Sequence, residues 1–157
     1  MKIIYKTGSI LDATEKAIVH GVNAQGKMGS GVARVLFERY PNVRSIYLDM
    51  HHSHLMAGKP FLGSTHLCGN SPHLVINAVT QDKYGYDGKL YASYEAILRV
   101  FLEINNELAP QLGIEALALP KIGCGLAGGD WAIVSEIIEN TADNYQPVVY
   151  TLPSAPC

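Results

Sequence analysis

The segment from Ala17 to Tyr40, AIVHGVNAQGKMGSGVARVLFERY, constrains the fold of this chain more than any other part of the sequence. Its first residues, as far as Val22, are mostly apolar and predict a buried strand. A loop with three glycines follows from Asn23 to Gly31, and apolar residues then recur at helical spacing. Backbone amides can approach a ligand closely at glycines, and the amides of a first helical turn carry partial positive charge. The segment therefore predicts a site for a phosphate group, and so for a nucleotide-like ligand.

Two common phosphate-binding motifs nevertheless do not fit this loop. The residues from Gly21 to Lys27 match the P-loop pattern G-x-x-x-x-G-K-[ST], but the next residue is Met28, whose side chain cannot bind magnesium. The dinucleotide pattern G-x-G-x-x-G would begin at Gly29, but Arg34 stands where the third glycine should let the helix pack closely on the strand. The loop is therefore expected to bind phosphate in another way.

The composition predicts an ordinary globular protein. The chain has 157 residues, 48% of them hydrophobic and 17% charged, and we expect residues 1–157 to form a single domain. A net charge of −2 argues against nucleic acid as the main partner. No apolar run approaches the roughly 20 residues that span a membrane, and the N-terminus is too polar for a signal peptide. The three cysteines, Cys68, Cys124 and Cys157, are odd in number and predict a reducing, cytoplasmic location.

Predicted strands and helices alternate along the chain. Strands are expected at residues 2–7, 17–22, 63–68, 74–80, 114–119 and 147–152, and helices at 31–40, 41–55, 91–112 and 132–144, with a short helix or turn at 11–16. This order predicts an α/β fold with helices on both faces of a largely parallel sheet. A second glycine-rich loop, from Pro120 to Gly129, also follows a strand and precedes a helix. Because such sheets bind ligands at the carboxyl ends of their strands, both loops should share one ligand with two phosphates, or with a phosphate between sugars.

Two motifs resemble those of the macro domain. The first is Val22-Asn23-Ala24 followed by GSGVA at 29–33, and the second, longer and more specific, is LPKIGCGLAGGDW at 119–131. More narrowly, they resemble the branch of the ADP-ribose 1″-phosphate phosphatases and the terminal ADP-ribose protein glycohydrolases. The similarity extends from Ile3 to Leu152. It implies a three-layer α/β/α fold with a central mixed, largely parallel sheet of about six strands, and ADP-ribose in a cleft with its diphosphate between the two loops.

The resemblance also implies a set of ligand-binding residues. Ser9 and Ile10 match the turn on the adenine side, with Ser9 in the position of the family's aspartate. Asn23 and Gln25 match two asparagines that face the distal ribose, and glutamine can make the same amide hydrogen bonds. The other ligand-binding candidates are in the two glycine-rich loops and in the loop that begins near residue 81: Gly29, Ser30, Gly31, Val32, Gln81, Tyr84, Gly123, Cys124, Gly125 and Leu126.

The candidates for catalysis are His20, Asn23 and Asp130. Related phosphatases have a histidine at the position of His20, which either acts in catalysis or is a satisfied histidine of the core. Asn23 either orients the ribose or a water molecule, or braces its own loop. Asp130 either transfers a proton or caps the helix that begins beside it, a position that aspartate favours. Cys124 is better explained as a small residue in a tight turn than as a nucleophile.

The catalytic aspartate and lysine of the glycohydrolases in this branch are not matched here. The position of their aspartate is Ala127, and the position of their lysine is closest to Gln81. We therefore do not expect a covalent lysine mechanism. Tyr84 and Tyr86 either cover the distal ribose or are simply exposed loop residues.

The resemblance implies a protein that binds ADP-ribose and hydrolyses a 1″-derivative of it, as an ADP-ribose 1″-phosphate phosphatase or an ADP-ribosyl hydrolase. Its partners would be ADP-ribose and its derivatives, including ADP-ribosylated macromolecules, with no membrane partner, and we expect a monomer. The alternatives are a module that binds ADP-ribose without turnover and a generic nucleotide-binding protein. We expect no cofactor and no metal site, because His51, His52 and His54 are better explained as a solvated helix end.

Overall fold

The computed structural model describes residues 1–153, so Cys157 lies outside the described residues. Within that range six strands form one sheet in the order β1-β6-β5-β2-β4-β3. The strands are β1 (Ile4–Thr7), β2 (Ala17–Asn23), β3 (Thr65–Cys68), β4 (Leu74–Gln81), β5 (Ala116–Leu119) and β6 (Gln146–Thr151). Every neighbouring pair is parallel except β3 and β4, which are antiparallel. The expected mixed, largely parallel sheet of about six strands is thus confirmed.

Helices cover both faces of this sheet. They are α1 (Gly31–Arg39), α2 (Asn42–Ala57), α3 (Tyr94–Glu103), α4 (Ala109–Leu112) and α5 (Trp131–Thr141), with a π-helical segment at Ile104–Leu108 and short 3-10 turns at Ile10–Asp12 and Gly125–Ala127. Alternate residues of β2 face opposite layers, as the pleat of a strand requires. Ala17 and Val19 pack on the side of α3 and α5, whereas Ile18 packs on the side of α1 and α2. The expected three-layer α/β/α arrangement is confirmed.

The long helix predicted over residues 91–112 begins later than its apolar pattern suggests and is not uniform. Ser93 is its N-cap, with a side-chain oxygen that accepts a hydrogen bond from the amide of Ala96. Tyr91 stays outside because its amide donates instead to the carbonyl of Ala127 in the second glycine-rich loop, at 2.7 Å. A contact between distant parts of the chain therefore decides where this helix starts.

The longest helix, α2, has 16 residues and ends at Gly58, whose φ of 64° is left-handed. With a rise of 1.5 Å per residue, this helix is about 24 Å long. Over residues 1–153, none of the helices combines the length and the apolar character needed to cross a membrane.

The parallel strands bring three loops together at one edge of the sheet. Strands β2, β4 and β5 are neighbours, so their carboxyl ends meet at that edge. The first glycine-rich loop leaves from β2, the loop of residues 82–93 leaves from β4, and the second glycine-rich loop leaves from β5. The amide of Ala24 donates to the carbonyls of Gln81 and Asp82, at 2.9 and 3.1 Å. This contact fastens the first glycine-rich loop to the end of β4 and to the loop that follows β4.

Candidate functional site

A cleft of about 820 Å³ opens at the carboxyl ends of β2, β4 and β5. Its lining comes from the end of β2 (residues 20–23), the first glycine-rich loop with the start of α1 (26–33), the end of β4 and the following loop (80, 81 and 84–86), the second glycine-rich loop (120–127), and Arg44 and Leu48 of α2. The two glycine-rich loops therefore line the same cleft, as their positions after strands of one parallel sheet predicted.

The N-terminus of α1 is open toward this cleft. Ser30 occupies the N-cap position, but its side chain makes no capping hydrogen bond to the helix. Gly31, Val32 and Ala33 of the first turn line the cleft. Amides of a first turn have no partner inside their own helix, and the helix dipole adds partial positive charge there. This arrangement is suited to binding an anion such as a phosphate group.

The second glycine-rich loop is a tight turn closed on itself. The amide of Gly129 donates to the carbonyl of Gly123 at 2.6 Å, and a Cβ at Gly129 would overlap that same carbonyl oxygen. Gly123 has a φ of 81°, which favours glycine. Cys124 lines the cleft and is disulfide-bonded, so its sulfur does not act as a free thiolate. The description of Cys124 as a small residue in a turn fits this arrangement.

Asn23 lies at the cleft, and its side chain braces the first loop. Its Oδ1 accepts from the backbone amides of Gln25 and Lys27, at 3.0 and 3.4 Å, and its Nδ2 donates to the carbonyl of Lys27 at 2.6 Å. The hydroxyl of Tyr47 lies 2.8 Å from both Oδ1 and the backbone oxygen of Asn23. These hydrogen bonds are the ones expected if Asn23 braces its own loop. They leave only one hydrogen of Nδ2 for a ligand.

The resemblance to the macro domain implies that Gln25, like Asn23, faces the distal ribose, but Gln25 does not line the cleft. Its side chain is exposed, and its Nε2 lies 3.3 Å from Oδ1 of Asp82 in the neighbouring loop. The longer glutamine side chain thus reaches across to another loop. The predicted contact between Gln25 and the distal ribose remains a prediction.

His20 lies beneath the first loop with only 1% of its surface exposed. Its Nε2 donates to Oδ1 of Asn77 at 2.6 Å, because the Nδ2 of Asn77 is used as a donor to the carbonyl of Val43. Burial lowers the pKa of His20 to about 4, although the hydrogen bond that its imidazole donates to Asn77 opposes this shift. The imidazole is therefore neutral at pH 7. Within residues 1–153 its Nδ1 is buried without a hydrogen-bond partner, so the catalytic role of His20 remains a prediction.

Several other predicted residues lie away from the cleft, or their side chains make hydrogen bonds within the protein. Ser9, Ile10 and Asp130 do not contribute to its lining. The Ser9 hydroxyl caps the turn at Ile10–Asp12, and Ile10 is buried in the core. The Asp130 carboxylate accepts from the amide of Ala132 at 2.9 Å, which is the capping role. Gln81 does line the cleft, but its Nε2 donates to the carbonyl of Lys83 at 2.8 Å.

Two exposed tyrosines stand at the mouth of the cleft. Tyr84 and Tyr86 both line it, and they are 46% and 69% exposed. The hydroxyl of Tyr86 lies 3.5 Å from the hydroxyl of Ser30 on the opposite side. Their exposure fits both alternatives, a cover for a bound sugar and ordinary loop residues.

The charged side chains that line the cleft are all basic. Lys27, Arg44 and Lys121 contribute to the lining, whereas none of the lining residues within 1–153 is an aspartate or a glutamate. A concave surface with one sign of charge attracts ligands of the opposite sign. The cleft is therefore suited to an anionic ligand. Among residues 1–153, no carboxylate lines it that could serve as a general acid or base.

The histidine cluster on α2 is packed rather than solvated. The rings of His51 and His54 lie 5.3 and 5.2 Å from the ring of Phe61, which differs from the expected solvated helix end, whereas His52 is exposed, as expected. No group of three histidine, cysteine, aspartate or glutamate side chains within residues 1–153 is arranged to hold a metal ion.

Sequence reasoning missed the contribution of α2 to the site. Arg44 and Leu48 line the cleft, and Tyr47 holds Asn23 through its hydroxyl. Positions 44, 47 and 48 are spaced i, i+3 and i+4, so these three residues lie on the same side of the helix. The apolar spacing of Val43 and Tyr47 is that of a buried helix face, but nothing local to that helix indicated that it lines the cleft.

Comparison with known proteins identifies relatives of this arrangement. The family model described as "Macro domain" matches residues 19–138. A DNA ADP-ribosyl glycohydrolase of Mycobacterium tuberculosis is 30% identical over 138 residues, which cover 85% of this chain and 37% of that protein. The chain thus spans little more than a third of that relative. An ADP-ribose 1″-phosphate phosphatase of Debaryomyces hansenii is 24% identical over 155 residues, which cover 85% of this chain and 86% of that protein.

Among solved structures, the macrodomain of Thermus aquaticus DarG superimposes with a TM-score of 0.78. The superposition covers 95% of this chain and 97% of that chain, at 21% sequence identity. A likeness at this identity establishes the shared fold.

Proposed function

We propose that this chain, which belongs to the macro domain family, binds ADP-ribose and hydrolyses a bond at the 1″ position of its distal ribose. The observation that carries the proposal is the cleft itself, which the open N-terminus of α1 and the second glycine-rich loop line together. The names of two relatives, a DNA ADP-ribosyl glycohydrolase and an ADP-ribose 1″-phosphate phosphatase, support the choice of ligand.

In this proposal the diphosphate lies between the two glycine-rich loops. The amides of Gly31 and Val32 bind it from one side, and the turn from Gly123 to Leu126 binds it from the other. The distal ribose then lies against Asn23, with Tyr84 over it. The assignment of Ser9 and Ile10 to adenine and of Gln25 to the ribose rests on resemblance alone, because these residues do not line the cleft.

The charges of the cleft favour the phosphate as leaving group. Water replaces phosphate at the 1″ position, and ADP-ribose and inorganic phosphate are the products. Phosphate departs as an anion, so it needs less help from a general acid than an alcohol or an amine does. Lys27, Arg44 and Lys121 supply positive charge, and no carboxylate of residues 1–153 lines the cleft. The substrate that this charge pattern fits best is ADP-ribose 1″-phosphate.

The rival proposal is a module that binds ADP-ribose without turnover. Two points favour it. By resemblance, Gln81 and Ala127 match the positions of the lysine and aspartate of related glycohydrolases, and His20 is buried with its Nε2 bound to Asn77. A pure binding module needs the anion site and the ribose contact but no proton-transfer group.

Phosphate release from purified ADP-ribose 1″-phosphate distinguishes the two proposals. We expect release by the wild-type protein, competitive suppression by excess ADP-ribose, and loss of both binding and release in Gly31→Val, which blocks the first loop. Asp130→Ala is the matched control, because Asp130 caps α5 and does not line the cleft. Micromolar binding of ADP-ribose without any release would favour the module, and equal affinity for ATP would contradict both.

We also propose that residues 1–157 form one domain that is monomeric and cytoplasmic. The odd number of cysteines and the buried free thiol of Cys68 support a reducing location. The disulfide at Cys124 is unusual in that setting, so cell fractionation is the direct test. Light scattering of the purified protein tests the monomer.

A further inference from the structure

We propose that Tyr47 is a positioning residue, which fixes the side-chain amide of Asn23 so that Asn23 meets the ligand as a hydrogen-bond donor only. The inference deepens the proposed function and rests on it, since it concerns the subsite that we assign to the distal ribose. Tyr47 lies in the middle of α2 and Asn23 at the end of β2, and these two residues, 24 positions apart in the chain, are in contact.

The contact is made by a buried phenol. Tyr47 has no exposed surface, and its hydroxyl lies 2.8 Å from Oδ1 of Asn23 and 2.8 Å from the backbone oxygen of the same residue. Burial raises the pKa of Tyr47 to about 12, so the hydroxyl keeps its single proton and shares it between these two oxygens.

The donors and acceptors around Asn23 permit a single orientation of its amide. The backbone amides of Gln25 and Lys27 both point at Oδ1, and the carbonyl of Lys27 lies 2.6 Å from Nδ2. Backbone amides can only donate and carbonyls can only accept. Turning the amide over would place Nδ2 against the two backbone donors and Oδ1 against an acceptor. The Tyr47 hydroxyl shares its proton with Oδ1 and with the backbone oxygen of Asn23, and so it holds the oriented amide in place from the side of α2.

Only one polar hydrogen of this side chain is then left over. Oδ1 has three donors, and one of the two hydrogens of Nδ2 is used by the Lys27 carbonyl. Asn23 lines the cleft, so the remaining N–H is what it offers to a ligand. The group opposite must be an acceptor, such as a ribose hydroxyl oxygen. Asn23 therefore orients the sugar and does not accept a proton from water.

The test is Tyr47→Phe, which removes the hydroxyl and keeps the ring that packs 5.9 Å from Phe61. Affinity is measured by calorimetry for ADP-ribose and for ADP, which lacks the distal ribose. We expect binding of ADP-ribose to weaken by about tenfold, the usual effect of one lost hydrogen bond, and binding of ADP to change less than about twofold. A Tyr47 that serves only to stabilise the fold would lower both affinities alike or neither.

The matched control is Tyr145→Phe. Tyr145 is also a fully buried tyrosine, and within residues 1–153 its hydroxyl has no hydrogen-bond partner. This variant should bind both ligands as the wild type does. In addition, Tyr47→Phe should have no further effect on affinity in an Asn23→Ala background, because the group that it positions is gone. Independent, additive losses would overturn the proposal.

A measurement on the wild type covers the case in which Tyr47→Phe does not fold. The side-chain amide of Asn23 should give two separate, slowly averaging proton resonances, and ADP-ribose should shift one of them much more than ADP does. Equal shifts with both ligands would overturn the inference. If the wild type binds ADP-ribose no more tightly than ADP, the proposed function itself is wrong. This outcome differs from the loss of the Tyr47 effect alone, so the two failures are distinguished.

Discussion

The two glycine-rich loops each follow a strand and precede a helix, but the helices that follow them begin in different ways. After the first loop, Ser30 leaves the start of α1 without a side-chain cap, and the first turn lines the cleft. After the second loop, the Asp130 carboxylate caps α5 at the amide of Ala132, and the cleft lining ends at Ala127. One helix N-terminus is left for a ligand and the other is satisfied internally. A glycine-rich loop before a helix therefore does not by itself identify an anion site.

The largest expected effect comes from adding a methyl group to the second loop. In Gly129→Ala the new Cβ would overlap the carbonyl oxygen of Gly123, which is backbone and cannot rotate away. We expect the free energy of unfolding to fall by about 3 kcal/mol, the upper range for overpacking, as measured by urea denaturation. Gly29→Ala in the first loop is the control, since a Cβ there meets nothing within 4 Å. Equal losses in the two variants would show that the loops are equally tight.

The second effect concerns pH: a fall in pH should destabilise the face of the sheet that α1 and α2 cover. Burial lowers the pKa values of His20 and His66 to about 4, and both histidines lie on the face covered by α1 and α2. Unfolded histidine titrates near 6.5, so the unfolded chain binds more protons between pH 6.5 and 4. The contribution of these two neutral histidines to the free energy of unfolding is therefore fully present above pH 6.5, and it is lost as the pH falls from 6.5 to 4.

For His20 alone, the loss is at most about 1.4 kcal/mol per pH unit. Urea denaturation at pH 7 and pH 5 measures it, and His20→Gln should reduce the pH dependence by a corresponding amount. Protection factors from hydrogen exchange should fall between pH 7 and pH 5 in α1 and α2 more than in α3 and α5, because His20 and His66 lie on the side of α1 and α2. A uniform fall in protection would contradict this difference between the faces.

The third effect separates the two alternatives for Asp130. Asp130→Ala removes the cap of α5 and should lower the free energy of unfolding by about 1 kcal/mol. Affinity for ADP-ribose should stay within about twofold of the wild type, because the carboxylate lies outside the cleft. Asp130→Asn keeps a capping side chain and should restore most of the stability. If turnover is lost in both variants while both remain folded, Asp130 is catalytic after all.

The smallest effect is expected at the equivalent position of the first loop. Ser30→Ala removes a hydroxyl that does not cap α1, so stability should change by less than about 0.5 kcal/mol. The contact of 3.5 Å to Tyr86 is lost as well, and dissociation of ADP-ribose, followed by stopped flow, should be slightly faster. A loss as large as that of Asp130→Ala would mean that Ser30 caps α1 in solution and that its N-terminus is not open.

Features that depend on short stretches of sequence were predicted correctly. The strands, both glycine-rich loops and their common edge of the sheet follow from apolar periodicity, glycine positions and the rule that parallel strands end together. The start of α3 was predicted three residues too early, because the amide of Tyr91 bonds to Ala127 more than 30 positions away. Gln25 was expected at the ribose, but its side chain lies beside Asp82 of another loop.

The sequence by itself therefore predicted the layers of the fold and the edge of the sheet at which the cleft opens, and it indicated an anionic ligand. The tertiary structure decided which helix N-terminus is open, that Arg44 and Leu48 of α2 line the cleft, and that Asn23 is held by its own loop and by Tyr47. The physical reason is the range of the interactions. Periodicity and turn chemistry act over a few residues, whereas the capping, charge and hydrogen bonding of a side chain depend on groups that only the folded chain brings within 3 Å or so of it.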